Sequence, residues 1–515
     1  MVTHLPAQLA DALTLKQSAI SALKWNYLGM FVRSGCGLVI GIVLARLLGP
    51  KPFGMVAIAG LVIGLGTLIA DFGFGAALVQ PKEISNQEIR FAFSVQVLLG
   101  AVVSVAGICL AGVIARAFHQ PAVTPVIQVL MLSFLLQSVG LTASSLLRRM
   151  LAFKAMQTAQ VGSYIAGYLA VGIPMAYLGY GVWALVAAQM VQTALNAALL
   201  YNASRHPVMP LLSLRYRKLV SFGGKVIGTN LANWTIYNLD TAIVGRCFGV
   251  FDLGLYNRAF VFATTPVNGA VIGLQQVLFP GSARAQDEPE KLRRAYLGAL
   301  AILALVTVPA YAAVAVAPRT ILVALYGQQW APAAPLLTAF AVAMPFYGMM
   351  AVAGPLLWGM GKVGCELRVQ LLVGVAAVAS FLLASQVSVL ALAWAVAGIY
   401  LLRLILMTRA LVRTLQVSWT RVLQAIYRPA VLGLMAAVVV WGVDSSLARG
   451  GGGAIMRLCA DMTAGMLVVL AALVFRPSAV FGQESAWLLN SVRSGIPQFF
   501  SRFLPPLQRA AGGTQ

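Results

Sequence analysis

Seven basic residues lie inside the long apolar runs of this 515-residue chain: Arg33, Arg46, Lys225, Arg246, Arg258, Arg403 and Arg457. Three acids share those runs, Asp71, Asp240 and Asp461. An ionised side chain at the middle of a bilayer costs at least about 2.5 kcal/mol on insertion scales, so such residues face a partner or a wet cavity. The balance is positive by four, which favours an anionic cargo over the cations typical of drug efflux. Arg33 stands mid-run, with Asn26 seven residues earlier and Gly29 and Gly37 close to the same helical face. Further on, Lys225, Thr229, Asn233 and Tyr237 follow at i, i+4 steps, flanked by Asn230 and Asn238. A guanidinium offers phosphate oxygens a planar fork and an ammonium offers a compact point charge, so Arg33 and Lys225 together suit a diphosphate. Asn26, Asn230, Asn233 and Arg258 complete the candidate substrate-binding set, Arg258 as a lining of the outer cavity. Lys225 is also close enough to the end of its run to snorkel.

The other intramembrane charges have two readings each. Arg46 and Arg246 stand near the ends of their runs, where they snorkel or pair with Asp71 and Asp240. Those two acids are candidates for coupling protons or sodium to transport as well as for ion pairs. Arg457 and Asp461, four apart, should pair along one face. Arg403 has no evident partner in sequence. No catalytic constellation emerges: His4, His119 and His206 are far apart, and no metal or nucleotide motif is present, so neither metal nor cofactor is expected. The five cysteines include no C-x-x-C pair and read as reduced packing residues.

These residues need elements that span lipid. Sixty per cent of the chain is hydrophobic and 10% charged, against roughly a quarter charged in a soluble domain. Apolar runs near the length that crosses about 30 Å of hydrocarbon predict about fourteen helices, near 27–48, 54–78, 91–115, 125–147, 156–178, 182–202, 219–247, 255–279, 296–317, 333–358, 369–386, 388–408, 429–443 and 454–475. Residues 1 to 22 are mixed polar and the first run carries Arg33, so a retained first helix is expected instead of a cleaved signal. The net charge of +23 does not gather into a nucleic-acid patch; it lies between the runs. With the N-terminus inside, 25 of the 36 Lys and Arg residues fall in cytoplasmic loops and four outside. This asymmetry predicts an even number of spans and both termini in the cytoplasm. The stretch 484–504 mixes aromatic residues with Arg493 and Arg502 and reads either as an interfacial amphipathic helix or as a disordered tail.

The chain also echoes itself. Arg46-x-x-Gly49-x4-Gly54 returns 200 residues later as Arg246-x-x-Gly249-x4-Gly254, and Leu146-Leu147-x-x-Met150 returns as Leu356-Leu357-x-x-Met360. Six predicted helices separate the members of each pair, as in parallel repeats related by an axis along the membrane normal.

The run Ala45-Arg46-Leu47-Leu48-Gly49-Pro50-Lys51-Pro52-Phe53-Gly54 and the run from Ala70 to Gln80 resemble the opening of bacterial polysaccharide-exporting flippases of the Wzx type. So do Asn238 to Arg246, Gly254 to Ala259, Leu278-Phe279-Pro280 and Gly327 to Ala333. The resemblance implies an all-α, MATE-like polytopic fold of two six-helix lobes in pseudo-two-fold arrangement around a central cavity, plus two C-terminal helices. On the runs above, the N-lobe occupies 27–202 after a cytoplasmic segment 1–26, and a cytoplasmic linker occupies 203–218. The C-lobe follows at 219–408, then a linker and the last two helices at 409–475, and a cytoplasmic tail at 476–515. It further implies translocation of an undecaprenyl-diphosphate-linked oligosaccharide across the bacterial inner membrane, with a polymerase and export machinery acting next. The sugar is not specified. Alternatives are a peptidoglycan-precursor flippase, a multidrug exporter, or, from another class, a membrane-embedded polymerase or glycosyltransferase. Such an enzyme normally needs a sizeable loop of catalytic acids or histidines, and here the acids are scattered in short loops.

Overall fold

Long apolar segments closed by Gly, Pro and Ser leave the backbone one way to satisfy its polar groups in lipid, which is to hydrogen-bond within each segment as a helix. The computed structural model describes residues 5–71, 84–211, 234 and 237–475, with backbone alone for 5–23, 26–27, 68–71 and 276–277; every regular element among them is helical. Eleven helical runs among the described residues are long and apolar enough to cross a bilayer, which makes this a multi-pass membrane protein. Large apolar side chains stand on the outer surface, among them Leu372, Val375 and Leu383, as lipid-facing positions require.

The chain divides into two compact units, Met1–Gly254 and Leu255–Gln515. The first contains α1 (Leu5–Leu48), α2 (Pro50–Asp71) and α3 (Asn86–Ala117), then a 3-10 turn (Pro121–Val123) leading into α4 (Thr124–Met131) and α5 (Ser133–Arg149). Next come α6 (Phe153–Tyr164), a π-helical segment (Ile165–Gly172), α7 (Ile173–Tyr177), α8 (Val182–Ser204) and the helical stretch α9 (237–247). α10 (Val250–Arg284) opens at the end of the first unit. The second unit continues with α11 (Pro289–Val316), α12 (Pro318–Tyr326), a 3-10 segment (Gln328–Ala333), α13 (Ala334–Met350) and α14 (Ala353–Gly359). It ends with α15 (Val363–Ser385), α16 (Val389–Leu415), α17 (Trp419–Arg449) and α18 (Ala454–Phe475). The expected fifth span is helical but changes type midway, the eighth carries Pro266 and Pro280 inside its helix, and the first half of the seventh lies outside the described residues. Residues 476–515, with the expected amphipathic stretch, also lie outside them.

Serines set several helix starts. Ser85 and Glu88 form a reciprocal capping box at α3, and the Ser388 and Ser418 hydroxyls accept from the first turns of α16 and α17.

The sequence echoes share local geometry. Gly49 and Gly249 both take positive φ, 73° and 88°, at the turns before α2 and α10. Five residues on, Gly54 and Gly254 let two backbones cross: a Cβ on Gly54 would stand 1.7 Å from the Val250 carbonyl oxygen, and one on Gly254 2.0 Å from that of Pro50. The two motifs thus pack on each other reciprocally, which explains why both need glycine. The second echo closes two helices alike. Ala152 N–H reaches the Leu147 carbonyl at 2.9 Å across Leu151, and Lys362 N–H reaches that of Leu357 at 2.8 Å across Gly361, with positive φ at Leu151 and Gly361.

Beyond α8 the chain is tied down along the start of α3. Leu211 N–H donates to the Ser94 hydroxyl at 2.7 Å and Arg90 Nε to the Met209 carbonyl at 3.0 Å. His206 is buried between Phe93 and Tyr201, its Nε2 without a partner among the described residues, and burial pushes its imidazole below the ordinary range.

Candidate functional site

Arg33 is carried on a face of α1 built from residues four apart. Gly29 lets α1 approach α6 until a Cβ there would stand 2.3 Å from Gln157 Oε1, and Gly37 faces the Tyr164 hydroxyl at 3.5 Å on the same measure. Between these glycines the exposed Arg33 guanidinium donates through Nη1 to Gln160 Oε1 at 3.5 Å. That distance is beyond the usual 2.7–3.2 Å of an N–H···O bond, roughly speaking, and a guanidinium carries about five N–H donors. Most of its donor capacity is therefore uncommitted among the described residues.

The wall beside Arg33 is polar and aromatic. Tyr164 and Tyr168 lie 4.8 Å apart, Tyr168 is within electrostatic reach of Arg33, and its hydroxyl faces Gln189 Oε1 of α8 at 3.5 Å. Tyr168 sits in the π-helical segment, where Ile173 N–H reaches back five residues to the Tyr168 carbonyl. Pro174 follows; its ring would clash with the carbonyl four residues before it in a regular α-helix, and the wider turn relieves that contact. Gly167 and Gly172 then let α8 approach through Ala188, which brings Gln189 beside Tyr168. The arrangement can offer an anion several donors and an aromatic shelf, the surfaces on which phosphates and sugar rings are held.

The remaining candidates are placed unevenly. Lys225, Asn230 and Asn233 lie outside the described residues, as do the side chains of Asn26 and Asp71. Arg246 meets His119 at the end of α3. Asp240 is buried and accepts from the Thr241 hydroxyl at 3.3 Å, while Arg46 is exposed. Arg258, half-buried, lays its guanidinium 4.8 Å from the centre of the Tyr326 ring. Tyr326 packs in turn with Phe262 and the fully buried Trp330. Trp330, at the end of the run from Gly327, thus backs the ring over which Arg258 lies.

Two pairings differ from expectation. Arg457 does not pair with Asp461 on its own helix: its fork is bidentate to Asp444 of α17, with Nε–Oδ1 2.9 Å and Nη2–Oδ2 2.8 Å. α17 extends past the apolar run that ended at 443, which brings Asp444 inside the bundle. Arg403 has Glu366 of α15 within electrostatic reach, and Glu366 also meets the Trp358 indole. All five cysteines are unpaired, but Cys109, Cys247 and Cys459 are exposed on the helix surfaces, not packed inside.

Residues 43–335, more than half of the chain, match the family described as polysaccharide biosynthesis protein. The chain belongs to this family. This polysaccharide biosynthesis protein is 26% identical over 328 residues to the lipopolysaccharide biosynthesis protein WzxC of Escherichia coli (strain K12), covering 63% of the present chain and 66%, just under two thirds, of WzxC. In fold it resembles the lipid II flippase MurJ in an inward closed conformation, with a TM-score of 0.72 at 11% identity over 88% of this chain and 99% of MurJ. An inward-facing multidrug resistance MATE family transporter of the MOP superfamily gives a TM-score of 0.57 at 15% identity, over 77% and 94% of the two chains. At these identities the likeness concerns the fold, which is all-α and MATE-like. The family match opens ten residues after Arg33, so it covers the Gly54–Gly254 crossing and the Arg258–Tyr326 contact but not the Arg33 face.

Proposed function

We propose that this polysaccharide biosynthesis protein is a flippase that moves undecaprenyl-diphosphate-linked oligosaccharide repeat units from the cytoplasmic to the periplasmic leaflet of the bacterial inner membrane. The observation that carries the proposal is Arg33: a cation inside an apolar helix, exposed, held among the described residues by one long hydrogen bond and flanked by Gln160, Tyr164 and Tyr168. A diphosphate supplies the acceptors that guanidinium lacks. Asn26 shares its helix, and Lys225, Asn230 and Asn233 of the seventh expected span would add further donors. The polyprenyl tail would stay in lipid while the lobes exchange access to the two sides. Asp71 and Asp240 remain candidates for ion coupling.

The Lys and Arg distribution supports cytoplasmic termini. In that orientation an inside-negative potential favours outward movement of an anion by about 2.3 kcal/mol per charge per 100 mV. No bond is made or broken in this account, so polymerase and export machinery take the product onward. Proteoliposomes loaded with undecaprenyl-diphosphate oligosaccharide test it, with head-group access read by a membrane-impermeant periodate or lectin probe. Protein-dependent flipping that slows when the potential is clamped at zero is expected. Absence of flipping, with active flipping of the peptidoglycan precursor or efflux of cationic drugs in the same vesicles, would overturn the assignment.

A further inference from the structure

Asp461 lies two turns into α18, 6% exposed, and neither of its carboxylate oxygens has a hydrogen-bond partner among the described residues. The neighbour that should neutralise it is already committed. Arg457, one turn earlier, gives both arms of its fork to Asp444, and the Thr320 hydroxyl of α12 donates to the same Asp444 carboxylate at 2.7 Å. The groups within electrostatic reach of Asp461 are Asp444 on α17 and Arg457 on its own helix. One turn deeper, Val440 of α17 and Ala313 of α11 close around Gly465 with apolar side chains. With every group ionised the cluster holds two negative charges and one positive in a place where an uncompensated charge is costly.

Asp461 and Asp444 are within hydrogen-bonding reach of each other, yet two carboxylates have no hydrogen to share. One added proton resolves both problems: the Asp461 hydroxyl donates to Asp444, and the cluster becomes neutral.

We propose that Asp461 and Asp444 form a proton-binding site that locks α18 to α17 and α12 when occupied and loosens that contact when empty. A sodium ion fits less well, because the Arg457 fork already occupies both oxygens of Asp444, the second carboxylate the cation would need. The orientation proposed above puts this site at the outer face, where protons would enter, and only that detail rests on the flippase assignment.

The test uses the full chain in detergent and reads stability, so its failure and that of the flippase assignment are distinguishable. Asp461→Asn keeps the shape and cannot ionise. Near pH 4 it should match the wild type in apparent Tm, and by about pH 8 it should exceed the wild type by about 2 °C or more, because from about pH 4 upward the unfolded wild type releases a proton that the folded cluster holds. Parallel curves over that range would overturn the proposal. So would a gain in Tm from sodium chloride over choline chloride that Asp461→Asn abolishes, since that marks a metal-cation site. Infrared spectra of the wild-type protein provide a measurement independent of the variant's folding: a protonated-carboxyl band that Asp461→Asn lacks should be present near pH 5 and fade by about pH 8, and its absence at the lower pH would equally overturn the site.

Discussion

Arg33 in the first unit and Arg457 in the second are both arginines inside apolar helices, but their surroundings are opposite. Arg457 has a bidentate carboxylate partner on the adjoining helix, and the other two intramembrane arginines of its unit are similarly engaged, Arg258 over Tyr326 and Arg403 facing Glu366. Among the described residues, Arg33 has one distant amide oxygen and a row of neutral polar groups. A charge that serves packing is neutralised where it stands, whereas a charge that serves a transient ligand must wait with its donors open. The difference separates the structural cations of this fold from the candidate binding cation without appeal to position along the chain.

That contrast can be broken by mutation. Asp444→Asn takes from Arg457 its bidentate anion and leaves Asp461, one turn along, as the remaining counter-charge; the pair is also partly exposed, so the loss of stability should fall below the roughly 3–5 kcal/mol seen for breaking buried pairs. Thermal unfolding in detergent checks this, and an unchanged Tm would mean that the second unit does not depend on its ion pairs. Arg258→Met removes a cation–π contact of about 0.5–2 kcal/mol, and the effect should appear as lost stability more than as lost transport per folded molecule. If transport collapsed while Tm held, Arg258 would belong with Arg33.

The smallest effect concerns His206, in the segment tied to α3. Burial holds its imidazole below the unfolded value, so the folded state binds fewer protons, and stability present above about pH 6.5 is lost as pH falls. His206→Phe should flatten that slope, a change of less than about 2 °C between pH 7 and pH 5. A steeper slope in the variant would contradict the packing described for this segment.

The helical spans were legible because lipid imposes one requirement on every segment, and a run of about 20 apolar residues announces it. The repeated glycines were legible too, though not their reason: spacing cannot show that Gly54 and Gly254 cross each other. The candidate binding charge, Arg33 between Gly29 and Gly37, could be picked out from type and spacing alone. Its wall could not, because Gln160, Tyr168 and Gln189 are uncharged and come from three helices whose mutual register depends on a π-helical turn. Gln157, Gln160, Gln189 and Gln192 inside apolar runs were the available signal. The Arg457 pairing was misassigned for a similar reason: an i, i+4 neighbour is visible in sequence, while Asp444 becomes a neighbour only once α17 runs on to Arg449.

On the proposed function, Arg33 holds its donors open for a diphosphate. Binding of undecaprenyl diphosphate to the purified protein, compared between wild type, Arg33→Lys and Arg33→Ala, tests it most directly. Loss of charge-assisted hydrogen bonds worth about 1.5–3 kcal/mol predicts a weakening of roughly 10- to 100-fold in Arg33→Ala, partial recovery in Arg33→Lys and an unaltered Tm in both. Equal affinity in all three proteins would contradict it.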